Sequence, residues 1–309
     1  MVKVTVVGAG NVGATCAQRI VEKDLADVVL LDVLEGMPQG KALDIMESAP
    51  VEGFSAKIIG TNDYADTKDS DVVVITAGLA RKPGMSRDDL LAKNTAIVSE
   101  IAEKIARYSP KSILIVVTNP LDIMCYVAYK KSGFDARRVI GMAGVLDSAR
   151  FRYFLSDALK CKASEVEALV LGGHGDTMVP LAEHITFQGK PVSNKLSSDV
   201  LDRLLDRTRK GGAEIVALLK TGSAYYAPAS SAVAMVKSIL SNEKKMYPCA
   251  ALLSGEYGLR DIYFGVPVIL GKNGIEKIVV VDLTSEEKKA LQLSAESVKE
   301  NIDKVRTLI

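Results

Sequence analysis

A chain of 309 residues and 33.1 kDa is long for one domain, so two packed units or one large unit are expected. Lys and Arg number 39 against 38 Asp and Glu, and this balance excludes a protein that holds nucleic acid or an acidic membrane through net charge. The 48% hydrophobic and 25% charged residues indicate a globular chain, and no apolar run approaches the roughly 20 residues of a membrane helix.

The first half of the chain alternates short β-branched runs with longer segments of helical periodicity. Strands are predicted, in chain order, at residues 2–7, 28–32, 56–60, 71–76 and 112–118. Helices are predicted at residues 12–23, 38–48, 88–108 and 120–131. The alternation is typical of a doubly wound parallel α/β sheet, with helices on both faces, over residues 1–144.

After about residue 144 longer helices alternate with shorter strands. Helices are predicted at residues 145–159, 198–220, 227–240 and 285–307, and strands at residues 166–171, 247–254, 266–271 and 274–280. This pattern predicts an α+β domain over residues 145–309. Because no Ser- or Pro-rich linker separates the halves, we expect them to pack closely.

A glycine motif joins the first predicted strand to the first helix. Residues 8–13 read GAGNVG, a GxGxxG in which the first Gly permits a tight turn, the second lets a pyrophosphate approach, and the third lets helix and strand pack. Asp32 ends the second strand, where a carboxylate accepts hydrogen bonds from ribose hydroxyls and repels a 2′-phosphate. The pattern predicts a Rossmann-type site for NAD rather than NADP; the alternative is a turn without a ligand.

His174 stands in a setting suited to chemistry. It follows a predicted strand in the turn LGGHGD, where a side chain can enter a cleft, whereas His184 has no such setting and is interpreted as structural. Asp147 and Arg150 lie three residues apart on one predicted helix face. If Asp147 approaches His174 it fixes the imidazole tautomer, and Arg150 then offers a planar fork to a substrate carboxylate. The alternative is a capped helix with a local ion pair.

Two polar segments follow strands that end at the ligand-binding edge expected of a doubly wound sheet. Residues 76–87, TAGLARKPGMSR, carry three cations and are expected to form a lid over an anionic substrate, or else a solvated basic loop. Residues 117–120, VTNP, bring Asn119 to the same edge. The sequence leaves open whether the Asn119–Pro120 bond is cis or trans.

The chain resembles the lactate and malate dehydrogenase family over essentially its whole length. The resemblance is carried by GAGNVG, TAGLARKPGMSR, VTNPLD, GVLDSARFR and LGGHGDTMVP. It implies that Asp147 and His174 form the catalytic pair and that Arg150 anchors the substrate carboxylate. It also implies that Arg87 is the lid arginine and that Asn119 contacts substrate and nicotinamide.

The resemblance places substrate choice at Arg81. Lactate dehydrogenases typically carry Gln at the matching lid position, whereas malate dehydrogenases carry Arg, which pairs with the second carboxylate of oxaloacetate. Ala224 matches a position where lactate dehydrogenases generally have Thr, and the smaller residue leaves room for a longer substrate. The expected activity is therefore NAD-dependent oxidation of (S)-malate by a member whose sequence is of the lactate dehydrogenase type. A lactate or other 2-hydroxy-acid dehydrogenase is the alternative.

The resemblance also sets the expected cofactor contacts and cellular context. The NAD contacts are expected at Gly8, Gly10, Asn11, Val12, Gly13, Asp32, Thr76, Ala77, Gly78, Asn94, Val117 and Asn119, and no metal ligand is expected. A homotetramer or a dimer in the cytoplasm is implied, with a reaction of the tricarboxylic acid cycle. The apolar face of residues 37–45 and the helix at residues 199–219 are interface candidates, or else ordinary core faces. The four cysteines show no zinc-site spacing and are expected to be reduced and mostly buried, and residues 1–7 show no signal peptide.

Overall fold

The computed structural model of the chain describes residues 2–79, 86–192 and 195–309. Its α-helices are α1 (Asn11–Glu22), α2 (Met37–Glu52), α3 (Arg87–Tyr108), α4 (Leu121–Ser132), α5 (Gly144–Leu159), α6 (Ser198–Leu219), α7 (Tyr226–Leu240) and α8 (Ser285–Arg306). Its strands are β1 (Lys3–Val7), β2 (Asp27–Leu31), β3 (Ile58–Thr61), β4 (Val72–Ile75), β5 (Ile113–Val116), β6 (Val139–Gly141), β7 (Val166–Glu167), β8 (Val170–Leu171), β9 (Val179–Pro180), β10 (Thr186–Phe187), β11 (Lys190–Pro191), β12 (Lys245–Ser254), β13 (Arg260–Gly271) and β14 (Gly274–Ile278).

One sheet runs through the described molecule in the order β14-β13-β12-β6-β5-β4-β1-β2-β3. The six strands β1 to β6 are parallel, and β12, β13 and β14 continue the sheet as antiparallel strands. Successive connections run outward in opposite directions from β1 and β4, so their helices cover opposite faces. The expected doubly wound α/β fold is confirmed, and its ligand crevice lies at the carboxyl ends of β1 and β4.

The parallel strands form the centre of the core. All residues of β4 and β5 are buried, as expected for strands with helices on both faces. Helix α1 presents a buried stripe that includes Cys16, Ala17 and Ile20, and it packs against α7, while α3 packs against α4. In the described part of the chain, no helix combines the length and apolarity needed to cross a membrane.

The second half of the chain extends the central sheet. Ala250 of β12 pairs with Gly141 of β6, which joins the parallel strands to the antiparallel hairpins. A Cβ atom on Gly141 would lie 2.6 Å from Sγ of Cys125 and 2.7 Å from Cβ of Ala250, so this junction requires glycine. Helices α5 and α6 pack against each other. The division of the chain at residues 144 and 145 stays a prediction.

One predicted strand is divided in the structure, and four short strands, β6, β9, β10 and β11, were not predicted. The single strand expected at residues 166–171 is divided, because β7 joins a small sheet with β10 and β11 while β8 pairs with β9. Residues 139–141 form β6, which sequence periodicity does not reveal because three residues are too few to establish a period. β6 pairs with β5 and β12, and β7 pairs with β10, all of which are distant in the chain, whereas β8 pairs with the nearby β9. Tertiary contacts therefore decide the structure of β6 and β7.

The loop at residues 172–177 is held against the sheet and the C-terminal helix. Gly172 and Gly265 of β13 exchange two backbone hydrogen bonds, of 2.9 and 3.2 Å. The hydroxyl of Ser294 on α8 accepts a hydrogen bond of 2.9 Å from the Gly173 N–H and lies 3.2 Å from the hydroxyl of Thr177. Ser294 is buried, so its hydroxyl connects α8 to this loop through hydrogen bonds that are shielded from solvent.

Replacement of Ser294 by Ala is expected to destabilise the protein. The change leaves the buried N–H of Gly173 without its acceptor, which costs about 1–3 kcal/mol. We expect a lower melting temperature, by roughly 2–4 °C for each kcal/mol in a protein of this size. Ser297→Ala, at a half-buried position on the same helix, is the matched control. Equal melting temperatures for the two variants would contradict the supporting role of Ser294.

Candidate active site

A cleft of about 490 Å³ opens at the crevice of the sheet. It lies between the glycine loop after β1, the ends of β4 and β5, helices α5 and α6, and the loop at residues 172–178. The predicted residues that line it are Gly10, Asn11, Val12, Gly13, Thr76, Gly78, Val117, Asn119, Arg150 and His174. Residues from both halves of the chain therefore meet in one cavity.

His174, Asp147 and Arg150 form a hydrogen-bonded group at this cleft. Nδ1 of His174 lies 2.8 Å from Oδ2 of Asp147, and Nη1 of Arg150 donates to Oδ1 of the same carboxylate over 3.3 Å. Because a carboxylate only accepts, the proton of this hydrogen bond is on Nδ1. Nε2 is then the ring nitrogen available for proton exchange with a ligand. Asp147 is 1% exposed and lies beneath the two residues that line the cleft.

The electrostatics of this group favour a protonated histidine. Burial alone lowers the pKa of His174, but the charge and hydrogen bond of Asp147, helped by Asp122, outweigh burial and hold it above 6.5. Burial lowers the pKa of Arg150, against the opposing effect of Asp147. The Nε atom of Arg150 is buried and has no partner among the described residues. A ligand carboxylate in the cleft can meet this guanidinium.

The glycine loop has the shape that a dinucleotide requires. Gly8 adopts φ +103° and lies beside Ala77, at the start of the loop that follows β4. A Cβ atom on Gly13 would overlap the carbonyl oxygen of Gly8. By contrast, a Cβ atom on Gly10 would meet nothing within 4 Å, because this glycine borders the open cleft. The hydroxyl of Thr76 donates to the carbonyls of Val7 and Gly8 at 3.1 Å and fixes the loop from behind.

Asp32 is placed beside the glycine loop at the end of β2. Its Oδ2 accepts a hydrogen bond of 2.6 Å from the Ala9 N–H, and its Oδ1 accepts one of 3.0 Å from the Leu34 N–H. Lys41 of α2 donates to the Ala9 carbonyl over 2.6 Å, so the two backbone polar groups of Ala9 are held by an anion and a cation. Sequence reasoning missed Lys41, because its helical position alone does not indicate that it reaches the loop.

Asn94, Asn119 and Leu79 join the two polar segments at the cleft edge. The amide of Asn94 accepts from the Leu79 N–H at 2.8 Å and donates to the Asn119 carbonyl at 2.7 Å. Asn94 is buried, and the structure turns its side chain toward backbone groups. The Asn119–Pro120 peptide bond is cis, and Asn119 lines the cleft. Direct contact of Asn94 or Ala77 with the cofactor stays a prediction.

Of the two predicted lid arginines, the structure describes only Arg87. Arg81 lies outside the described residues. Arg87 begins α3, is exposed, and is not part of the cleft lining. Helix α3 begins with a capping box in which Ser86 accepts from the Asp89 N–H at 3.0 Å. The lid role of both arginines stays a prediction.

Two further charged residues near the cleft were missed by the sequence reasoning. Arg209 of α6 lines the cleft with Arg150, and its Nε donates to the Met178 carbonyl over 3.5 Å. Asp122 of α4 accepts a hydrogen bond of 2.8 Å from the backbone N–H of His174. The motif VTNPLD contains Asp122 and was the available signal, but a contact spanning 52 positions has no local signature.

The second histidine of the chain is not part of the cleft lining. His184 lies with Nε2 2.8 Å from the Asp282 carbonyl and does not line the cleft. Within residues 2–79, 86–192 and 195–309, no group of three or more His, Cys, Asp or Glu side chains is arranged to hold a metal ion.

Comparisons with known proteins identify relatives of this chain. Residues 2–141 match the NAD binding domain of lactate/malate dehydrogenase, and residues 144–309 match the alpha/beta C-terminal domain of the same family. The malate dehydrogenase of Chloroherpeton thalassium is 56% identical over 308 residues, 99% of each chain. The crystal structure of Cryptosporidium parvum malate dehydrogenase superposes with a TM-score of 0.97 at 46% identity, covering 99% of each chain.

A lactate dehydrogenase is similar as well. The Cryptosporidium parvum lactate dehydrogenase solved with lactic acid and nicotinamide adenine dinucleotide gives a TM-score of 0.96 at 43% identity, covering 99% of this chain and 98% of that chain. The chain belongs to the lactate/malate dehydrogenase family. Its N-terminal part is an NAD-binding domain, and the glycine loop and Asp32 fit that cofactor.

Two glycine substitutions are expected to separate folding from cofactor binding. Gly13→Ala places a methyl group against the Gly8 carbonyl and should lower stability by roughly 1–3 kcal/mol or more. Gly10→Ala places its methyl group in the open cleft, so stability should persist while the Kd for NADH rises about tenfold or more, a loss of ~1.4 kcal/mol. Thermal melting and fluorescence titration measure the two effects. Wild-type NADH affinity in Gly10→Ala would contradict the proposed pyrophosphate contact.

Proposed function

We propose that this cleft catalyses reversible hydride transfer between (S)-malate and NAD, giving oxaloacetate and NADH. The observation that carries the proposal is the 2.8 Å contact between His174 and Asp147 in the cleft that the glycine loop borders. The activity is NAD-dependent malate dehydrogenation. It is supported by relatives such as the Chloroherpeton thalassium malate dehydrogenase, 56% identical over nearly the whole chain.

His174 moves the proton in this reaction. In malate oxidation its neutral Nε2 takes the proton of the C2 hydroxyl while the C2–H bond breaks and the carbonyl forms. Asp147 keeps Nδ1 protonated and stabilises the imidazolium that results. In oxaloacetate reduction the imidazolium returns the proton to the carbonyl oxygen. NAD bound along the glycine loop would supply the acceptor for the hydride that leaves C2.

Arg150 anchors the substrate and sets its orientation. The guanidinium lines the cleft one helical turn from Asp147, so a bidentate pair with the C1 carboxylate holds C2 near His174. Asn119, which also lines the cleft, supplies its amide to the substrate oxygen. Arg87, on closure of the lid, adds positive charge where negative charge develops on the carbonyl oxygen. Arg209 contributes a second cation to the same cleft and strengthens its attraction for a dicarboxylate.

The choice between malate and lactate depends on individual side chains. Both a malate and a lactate dehydrogenase superpose on this chain with TM-scores of at least 0.96, so the backbone does not distinguish the substrates. Ala224 lines the cleft and leaves space for a second carboxylate. Arg81 pairs with that carboxylate when the lid closes. Lactate or another 2-hydroxy acid is the alternative substrate.

The substrate proposal is tested by NADH oxidation measured in parallel with oxaloacetate and pyruvate. Pyruvate lacks the distal carboxylate, so lid closure would bury the Arg81 cation unpaired, and we expect roughly a thousandfold preference for oxaloacetate in kcat/KM. Arg81→Gln should reduce this ratio steeply and leave the Kd for NADH unchanged. Lys82→Gln is the matched lid control. A ratio in Arg81→Gln within about twofold of wild type would refute the role of Arg81.

A pH profile tests the proton relay. Asp147 raises the pKa of His174, so malate oxidation, which needs the neutral ring, should lose kcat/KM as the pH falls through that pKa. In Asp147→Asn the pKa of His174 should fall, and this acid-side loss should move to lower pH. Reduction of oxaloacetate, which needs imidazolium, should become weaker near neutral pH. An unmoved or upward midpoint would contradict the relay.

His174→Asn is the control for this profile. It removes the relay and should lower kcat about a hundredfold while NADH still binds. Near-native turnover in His174→Asn would show that the reaction does not use this residue.

We also propose a cytoplasmic homotetramer, with a dimer as the alternative assembly. The support is apolar surface on the two candidate interface segments: Leu43 of α2 is 62% exposed and Leu218 of α6 is 75% exposed. Size-exclusion chromatography with light scattering measures the number of subunits. A monomer at micromolar concentration would refute the assembly.

A further inference from the structure

The side chain of Asp122, in the NAD-binding half, contacts the backbone of the loop at residues 172–178, here called the catalytic loop. It lies in the first turn of α4, two residues after the cis Asn119–Pro120 bond. Its Oδ2 accepts a hydrogen bond of 2.8 Å from the backbone N–H of His174, 52 positions away in the chain. His174 is thus held at two points by carboxylates, at its ring by Asp147 and at its backbone by Asp122.

The burial of this carboxylate requires a reason. Asp122 is 2% exposed, and its Oδ1 atom is buried without a hydrogen-bond partner among the described residues. An ionised carboxylate in such a place is unfavourable unless neighbouring groups compensate for the lost water. Burial raises the pKa of Asp122 to about 6, and the hydrogen bond and charge of His174 oppose that rise. The positive end of the α4 dipole also favours a negative charge in the first turn.

We propose that Asp122 is a positioning residue of the active site, which fixes the backbone of His174 and adds a second negative charge beside its imidazolium. The inference rests on the proposed function of His174 as the proton relay. A carboxylate is better suited to this place than an apolar residue, since it satisfies the buried N–H and stabilises the charged ring. The cost of burying Asp122 is therefore offset mainly when His174 is protonated.

The groups that act on this pair come from three elements. Within the described residues, His174 and Asp147 act on Asp122, and Asp147, Asp122 and Arg150 act on His174. Cys125 lies one turn further along α4, and burial raises the pKa of its thiol well above 9.0, so it stays neutral. Removal of the Asp122 charge should therefore change the proton affinity of His174 in one direction only, downward.

Two substitutions separate the charge of Asp122 from its hydrogen bond. Asp122→Asn keeps an oxygen acceptor for the His174 N–H but removes the negative charge. We expect the acid-side midpoint of its kcat/KM for malate oxidation to fall by roughly half a pH unit or more, because the imidazolium of His174 loses a neighbouring negative charge. Asp122→Ala removes the acceptor as well, and misplacement of the loop should lower kcat about tenfold or more.

NADH binding and a matched aspartate complete the experiment. The Kd for NADH should stay within about twofold of wild type in Asp122→Asn, because the glycine loop is untouched. Asp199→Asn changes an exposed aspartate in the first turn of α6 and should leave the midpoint unmoved. If Asp122→Ala does not fold, the midpoint of Asp122→Asn still decides. A purely structural role of Asp122 would lower the melting temperature without moving that midpoint.

The possible failures are distinguishable. An unmoved or raised midpoint in Asp122→Asn, with active wild type and inactive His174→Asn, would overturn the role of Asp122 alone. Wild-type protein without oxaloacetate-dependent NADH oxidation, or an active His174→Asn variant, would overturn the proposed function instead.

Discussion

The buried carboxylate of Asp147 is the interaction on which the site depends. It is 1% exposed and is stabilised by two partners, the imidazole of His174 at 2.8 Å and the guanidinium of Arg150 at 3.3 Å. An isolated carboxylate in this position would be costly, so the three side chains stabilise one another's placement. In the proposed function, the same arrangement places the proton acceptor, His174, near the carboxylate anchor, Arg150, so the contacts that stabilise the group also position it for the reaction.

The sheet supplies the frame for this group. Its parallel strands open a crevice at β1 and β4, and the glycine loop enters that crevice with a backbone that only glycine permits at Gly8 and Gly13. The antiparallel strands β12 and β13 continue the same sheet, and Gly265 of β13 holds Gly172 at the base of the catalytic loop. Because one sheet supports both the cofactor loop and the catalytic loop, their relative position is set by backbone hydrogen bonds.

Family and substrate are decided at different levels of the structure. The backbone superposes equally well on a malate and a lactate dehydrogenase, so membership follows from the fold and from the glycine, His–Asp and Arg motifs. In the proposed function, substrate choice depends on whether the cleft accepts a second carboxylate, and the proposal assigns this to a few side chains such as Arg81 and Ala224. An unpaired buried cation is far more costly than a small gap, and this asymmetry explains how one charge can select the substrate.

The sequence by itself determined those features of the fold and of the site that depend on residues close together in the chain. Alternating apolar runs and the turn chemistry of GAGNVG predict the doubly wound half and its cofactor loop, and the three-residue spacing of Asp147 and Arg150 places them on one helix face. Only the tertiary structure decided the division of residues 166–171, the addition of β6, and the contacts of His174 with Asp122 and Asp147. Those contacts join positions 27 and 52 residues apart, and they arise from packing in space, which leaves no periodic pattern in the chain.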